Sequence, residues 1–479
     1  MAALATTQFY GTTRQRPRRS ERAVVRTETA EQILEAIAAN DASDLELSES
    51  ENEGDAVDPG MEAEDNDPDD DEVSESEDHE SDECPTWRRS RRLCTTWIPV
   101  YQPTADTLDI RKQWTPLQYF EQYIDQGMLD AMADATNFTS VMVTGKSLNT
   151  TGQELRKFFG VTIWMSCLGF KRIRMYWEKE TRVPIISSSI TRQRYFELRS
   201  RLKVVKDIEI SPDERKKDRL WKIRPLLARV LQGCHSLPRE LCLSIDEQMV
   251  PFTGRTSLRQ YVPRKPNPEG LKNFVLASPA GLIMDFEIYQ GKGTFPDGAQ
   301  KSLGVRGSAV MRLVETVPPG TDLYFDRYFT SPSLLDELAA KGIAGTGTVM
   351  KNRIPKGLKL ASKKDLKVKG RGTSEQWTKS DGRMCVVQWY DNKPIILMSS
   401  VHQKDPEDEC RRWSSSSMEH IAVKRPAIVS KYNQSMGGVD MADRVISYYR
   451  ISSRVNKWTI RTMFHLFDIS LSNAWIQYR

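Results

Sequence analysis

Asp246, Asp326 and Asp440 lie in SIDEQMVPF, LYFDRYFTS and GGVDMAD, where each closes or interrupts an apolar stretch. A lone carboxylate is costly to bury, so such an acid asks for a partner. Gathered by the fold, three aspartates make an oxygen-rich pocket of the kind that hard divalent cations prefer. Two Mg²⁺ ions about 4 Å apart activate an attacking oxygen and stabilise a leaving one, which is the chemistry of cutting and joining phosphodiesters. Bunched carboxylates repel when no cation joins them, so their pKa values should rise. Each acid also has an ordinary reading. Asp246 beside Glu247 can end a strand in a turn, Asp326 can cap the helix behind it, and Asp440 can answer a helix macrodipole. Glu247 is either a partner of the triad or a surface residue.

The elements around these acids explain how they can meet. LCLSIDEQMVPF reads as a strong apolar strand that ends near Asp246, and TDLYFD as a strand that ends at Asp326. Strand carboxyl ends are where α/β sheets place chemistry. KNFVLASP and LIMDFEIYQG, joined by the turn Pro279-Ala280-Gly281, complete an antiparallel meander. GAQKSLGVRGSAVMRLVETV and SPSLLDELAAKG are helices, the second started by Ser331 and closed by Gly342, and IAGTGTV is a further strand. The pattern is a mixed-sheet α/β core. After Gly437-Gly438 a helix carries Asp440 in its first turn. Asp443 and Ser447 share its face, with Val439, Ala442, Ile446 and Tyr449 on the apolar side.

Flanking regions differ in character. Residues 1–111 read as a disordered region, apart from a short helix over Thr27–Ala39 and the basic knot Arg88, Arg89, Arg91 and Arg92, a candidate nuclear-import signal or DNA arm. Order is expected from Pro116. Residues 112–240 are helical, 241–350 hold the first part of the core, and 351–423 form a β-rich insertion with turns at Ser380-Asp381-Gly382 and Asp391-Asn392-Lys393. Residues 424–449 return to the core, and 450–479 are an amphipathic helix.

Charge points to a partner. Residues 41–83 carry 22 Asp and Glu and no Lys or Arg, whereas residues 84–479 hold 63 basic and 39 acidic side chains, a net charge of +24. A basic body behind an acidic leader suits a polyanion binder whose leader competes for the same surface, and nucleic acid is the favoured partner. A soluble protein with a solvated leader is the plainer reading. No apolar run is long enough for a membrane-spanning helix, and the N-terminus lacks the apolar core of a secretory signal. The seven cysteines form no CxxC pair and the five histidines no ligand spacing, so no zinc site is expected and the thiols should be reduced.

In SIDEQMVPFTGR, RQYVPRKPNPEGLK, the GKGT near Gly291, YFDRYFTS, GTGTVMKNRIP, YNQSMGGVDMAD and SSRVNKW, the chain resembles the piggyBac transposases and piggyBac transposable element-derived proteins, over roughly residues 114–479. The resemblance implies an RNase H-like mixed-sheet catalytic core split by a β-rich insertion, with flanking helices for DNA binding and dimerisation. It implies a catalytic, metal-holding triad of Asp246, Asp326 and Asp440, loaded with Mg²⁺ or Mn²⁺. Asp443 matches a further acid beside that site. Trp458 matches a tryptophan that stacks on unpaired DNA. The implied reaction is strand cleavage at transposon ends, hairpin formation and transfer into TTAA sites in double-stranded DNA, by a nuclear homodimer. Arg255, Arg259, Arg264, Lys265 and Lys272 follow the first catalytic strand and are expected to hold phosphates. Arg327, Arg454 and Lys457 join the expected DNA contacts, with an ion pair to Asp326 as the other reading of Arg327. Many family members carry a C-terminal cysteine-rich zinc module that reads transposon ends, and no such cluster occurs up to Arg479. Recognition of ends by that route is therefore not expected here. A domesticated DNA- or chromatin-binding protein that no longer requires catalysis is the alternative.

Overall fold

Helices begin where the sequence offers an oxygen to an unsatisfied backbone N–H. Thr115, Asp125, Thr151, Thr191, Ser211, Ser331 and Ser362 each accept the N–H three residues on, and a helix follows each. The computed structural model describes residues 86–89, 92–102 and 111–479, except 264, 415–416 and 452–454. The helix expected at Thr27–Ala39, the acidic run 41–83 and Arg91 lie outside the described residues.

The first block holds α1 (Pro116–Glu121), α2 (Gln126–Thr144), α3 (Gly152–Leu168), α4 (Pro184–Ser189), α5 (Arg192–Arg201), α6 (Pro212–Lys217) and α7 (Arg224–His235). The strands are β1 (Trp87–Arg89), β2 (Cys242–Pro251), β3 (Arg259–Tyr261), β4 (Glu269–Ala277), β5 (Ile283–Ile288), β6 (Asp322–Phe325), β7 (Ala344–Thr348), β8 (Ser374–Lys379), β9 (Cys385–Tyr390) and β10 (Pro394–Ser399). They form one ten-stranded sheet in the order β1-β8-β9-β10-β7-β6-β2-β4-β3, with β5 also on β4. β2, β6 and β7 run parallel, and β4 and β10 flank them antiparallel. This is the mixed-sheet core that the apolar pattern predicts, in the RNase H-like form that the family resemblance implies. The insertion continues that sheet through β10 on β7. It adds the hairpin β11 (Asp408–Ser414) and β12 (Glu419–Arg425).

Helices cover both faces. α8 (Asp297–Leu313) and α9 (Pro332–Ala340) pack on one face, where Leu313, Leu335 and Leu338 meet Leu243, Phe274 and Phe325. α10 (Lys363–Lys369) belongs to the insertion. α11 (Ala427–Ser435), α12 (Gly438–Tyr448) and α13 (Trp458–Tyr478) return to the other face. There Val439, Ala442, Phe464 and Phe467 share one apolar core with the helical block and with Val275 and Phe286 of the sheet. Asp285 of β5, fully buried, receives Arg312 of α8 and His235 of α7 at 3.0 Å each and so ties the block to the sheet.

Three expectations change. Residues 1–111 are not uniformly without structure, because Trp87–Arg89 pairs with β8 and Arg89 reaches Glu375 at 2.7 Å. A three-residue strand has no periodicity to read, and its signal is the unpaired edge of β8. The last helix is not amphipathic but buried nearly all round. Phe120 of α1 and Phe159 of α3 lie against Phe467, while Asn473 bonds both backbone groups of Ile283 on β5. Tyr449, read as part of an apolar helix face, is 62% exposed just past the end of α12.

α12 lies close on the sheet because residue 438 lacks a side chain. A Cβ there would stand 2.3 Å from the Ser278 carbonyl oxygen and 2.5 Å from Ser244 Oγ. Gly438→Ala should therefore lower stability by roughly 1–3 kcal/mol. Gly437→Ala, with nothing within 4 Å, should be near neutral. Urea unfolding of the two variants makes the comparison, and equal midpoints would refute this account.

Candidate metal centre

The parallel register of β2 and β6 pairs Ile245 with Phe325, so the next residues, Asp246 and Asp326, fall side by side. Carboxylate oxygens of Asp246, Glu247 and Asp326 lie within 4.8 Å of one another. Asp246 is not at a strand end as the sequence suggests: β2 runs on to Pro251, held by β4. It stands where pairing with β6 stops, which leaves room for acids. Glu247 is thereby a member of the cluster. Its side chain is only 11% exposed, and its Oε2 is buried without a hydrogen-bond partner.

Asp326 has two uses. One oxygen accepts the Tyr328 N–H at 2.8 Å and shapes the turn before α9, whose own cap is Ser331. Lys272 braces this turn: its ammonium bonds the Tyr328 hydroxyl at 3.0 Å and sits 4.1 Å from the ring centroid. Lys272, expected to hold a phosphate, is 8% exposed and is engaged inside the protein.

Asp440 stands apart from the tight cluster. It is exposed in the first turn of α12, but its field reaches Lys265 and Tyr432, as does that of Asp246. Tyr432 of α11 went unread in the sequence although it lies in YNQSMGGVDMAD. Burial, then the fields of Asp326, Asp246 and Asp440, hold its phenol protonated. Asp443 is tied to β2. Gln248 donates to its Oδ1 at 2.7 Å, and Gln248 Oε1 accepts from Asn273 at 3.2 Å and meets His465 Nε2 at 2.8 Å. An amide oxygen only accepts, so His465 Nε2 carries the proton. Burial, then Arg450 and Arg461, keep that imidazole neutral.

Electrostatics follows from crowding. Burial, then Glu247 and Asp326, push the Asp246 carboxyl well above the ordinary range, against the pull of Lys265. Burial, then Glu247, push Asp326 up to about 6, opposed by the Tyr328 N–H, Lys265 and Arg327. Three bunched carboxylates, one with an orphaned buried oxygen, suit a hard divalent cation in both donor type and charge.

The other expected DNA contacts scatter. Arg255, Arg259 and Arg327 are exposed, Arg259 donating to the Thr253 carbonyl. Lys265 turns onto the acids, 3.4 Å from Glu247 Oε1 and 3.9 Å from Asp246 Oδ1. Lys457 donates to the Ser200 carbonyl. Trp458, expected to stack on unpaired DNA, is 8% exposed and packs in the helical core. Helix α13 starts at this residue and turns it inward. Arg264 and Arg454 lie outside the described residues. Among the described residues no helix is long and apolar enough to cross a membrane.

A raised carboxyl favours the folded state when protonated. Its contribution is full below the unfolded value of about 3.9 and is lost as pH rises through about 6. In metal-free protein, Asp326→Asn should remove that dependence and raise stability at neutral pH by on the order of 2 kcal/mol. Urea unfolding in chelator, at acid and at neutral pH, measures it. An unchanged pH dependence would contradict the crowding.

A family profile described as Transposase IS4 matches residues 115–475. Over 383 residues, 78% of the chain, identity is 32% to the human "PiggyBac transposable element-derived protein 3", of which the match covers 63%. Identity is 28% over 382 residues to the human "PiggyBac transposable element-derived protein 2", with the same 78% and 63% coverage. The chain thus spans less than two thirds of either relative. A piggyBac transposase solved by cryo-EM as a synaptic complex with hairpin DNA shares the fold, with a TM-score of 0.65 at 24% identity over 78% of this chain and 76% of that one.

Proposed function

The chain belongs to the piggyBac transposase family, and from that premise we propose that it cuts and joins DNA strands at TTAA sites with a divalent cation, Mg²⁺ foremost and Mn²⁺ as substitute. The observation that carries this reading is the meeting of Asp246, Glu247 and Asp326 within 4.8 Å, at a gap in strand pairing. Asp246, Asp326 and Asp440 would hold the cation, with Glu247 alongside. When bound, the cation supplies charge for the attacking and leaving oxygens of a phosphodiester.

The chain's own residues do the rest. Arg327, exposed next to Asp326, and the exposed Arg255 and Arg259, past β2 and on β3, offer charge-assisted hydrogen bonds to phosphates. The Tyr432 phenol, held protonated by burial and by the nearby acids, is hydrogen-bonded to the Thr348 side chain. Gln248 and His465 fix Asp443 behind the site. The substrate in this proposal is double-stranded DNA, the working form a homodimer and the location the nucleus, where the Arg88–Arg92 knot would act as the import signal.

A second reading is DNA or chromatin binding without catalysis. It is favoured by the names of the curated relatives, which describe transposable element-derived proteins.

One experiment separates the two. With a TTAA-flanked element and Mg²⁺, the first reading expects excision that falls at least about a hundredfold in Asp246→Asn, Asp326→Asn and Asp440→Asn. Salt-sensitive DNA binding with no scission in Mg²⁺ or Mn²⁺ favours the second. A protein with no salt-sensitive DNA binding removes both.

A further inference from the structure

The loop between β3 and β4 is short and stiff. Tyr261 pairs with Glu269, the Val262 N–H bonds the Pro268 carbonyl at 2.8 Å, and Pro263, Pro266 and Pro268 restrict the chain between. Lys265 lies in this loop and folds back over β2. Its ammonium donates to the Glu247 carbonyl at 3.0 Å and stands 3.4 Å from Glu247 Oε1 and 3.9 Å from Asp246 Oδ1. The field of Asp440 reaches it from α12. Its side chain is 28% exposed, so it is half-shielded rather than locked in. Acids from a strand and from a helix thus converge on one tethered cation.

We propose that Lys265 is a positioning residue that stands in for the divalent cation until one binds, and then transfers its charge to a DNA phosphate. The inference rests on the metal-site reading above. An ammonium holds the carboxylates together but has no lone pair to share, so it sits at hydrogen-bond range, whereas Mg²⁺ draws oxygens in to about 2.0–2.1 Å. Both positive charges cannot occupy one small cluster without strong repulsion. The lysine has a flexible stem and three rotatable donors, and its side-chain hydrogen bond is to a carbonyl oxygen. Its displacement is therefore possible without moving the loop. Exposed Arg327, whose charge acts on Asp326, marks the side on which a polyanion would meet it.

Two consequences follow. Metal and DNA should bind cooperatively, because each removes Lys265 from the other's path, and the coupling is reciprocal. The number of phosphate contacts should also depend on the metal.

The test uses the full chain and MnCl₂, with binding followed by calorimetry, and a duplex carrying TTAA in Ca²⁺ or in chelator. Lys265→Met should bind Mn²⁺ about tenfold or more tightly in the absence of DNA, because a competing charge is gone. Lys265→Arg should stay near the wild-type value. With metal present, the slope of log affinity against log salt should fall by about one in Lys265→Met, and should not change in chelator. Lys265→Gln serves as a second uncharged variant should the methionine variant fold poorly. Mn²⁺ affinity unchanged or weakened in the uncharged variants overturns the proposal, as does a slope change that is the same with and without metal. Asp246→Asn distinguishes the levels. If it binds Mn²⁺ as the wild type does, the metal-site reading itself fails. If it loses binding while the uncharged variants match the wild type, only the role of Lys265 fails.

Discussion

Two carboxylates set side by side by a parallel strand register repel each other and lose water, and much of this molecule serves to hold them there. The register Ile245–Phe325 is the decisive contact. It is backed by apolar side chains on one sheet face, where Leu243, Ile245, Leu323 and Phe325 are fully buried. A slip by one residue would exchange the two faces of β6 and take Leu323 and Phe325 out of the core they share with Leu243 and Ile245, so the apolar pattern also protects the acid placement. Stability thus rests on the core, and the site draws on it: Asp246 and Asp326 are both raised by burial and by Glu247, and Asp246 by Asp326 as well.

The third element of the site is placed by space rather than by attraction. α12 can lie on the sheet because Gly438 brings no Cβ to Ser278 and Ser244, and because Gly281, at φ +91°, turns beneath Met441 and Ala442. Asp440 therefore arrives near the cluster on a helix of its own and stays exposed. Behind it, α13 bonds Ile283 through Asn473 and meets Gln248 through His465. The helical block and the sheet share one core, so the acids of the sheet and the helices flanking it rest on the same apolar packing.

Much of the fold was legible. The meander, the helix begun at Ser331, the turns of the insertion and the glycines before α12 each had a local signal, whether a cap, a turn residue or an apolar run. The triad aspartates were legible too, as acids in apolar segments. Trp87–Arg89 was not, because its strand exists only as the partner of β8. Glu247 is ambiguous in the sequence because neighbours on a strand are expected on opposite faces, and only the geometry at the gap in pairing brings both acids to one place. Lys272 and Trp458 read as surface contacts, yet both turn inward, one onto Tyr328 and the other into the helical core.

By itself the sequence determined the kinds of groups available: acids for a hard cation, a basic body of net charge +24 and an ordered set of family motifs. Those are properties of residue type and spacing, and they need no folding to be read. Only the tertiary structure decided which of the groups meet. Asp246 and Asp326 are separated by 80 positions, and whether they touch depends on strand register. Whether Lys265 faces phosphate or carboxylate depends on how a proline-rich loop closes over β2. Distances across the chain are set by packing, which balances burial against repulsion over the whole core, and no local pattern carries that balance.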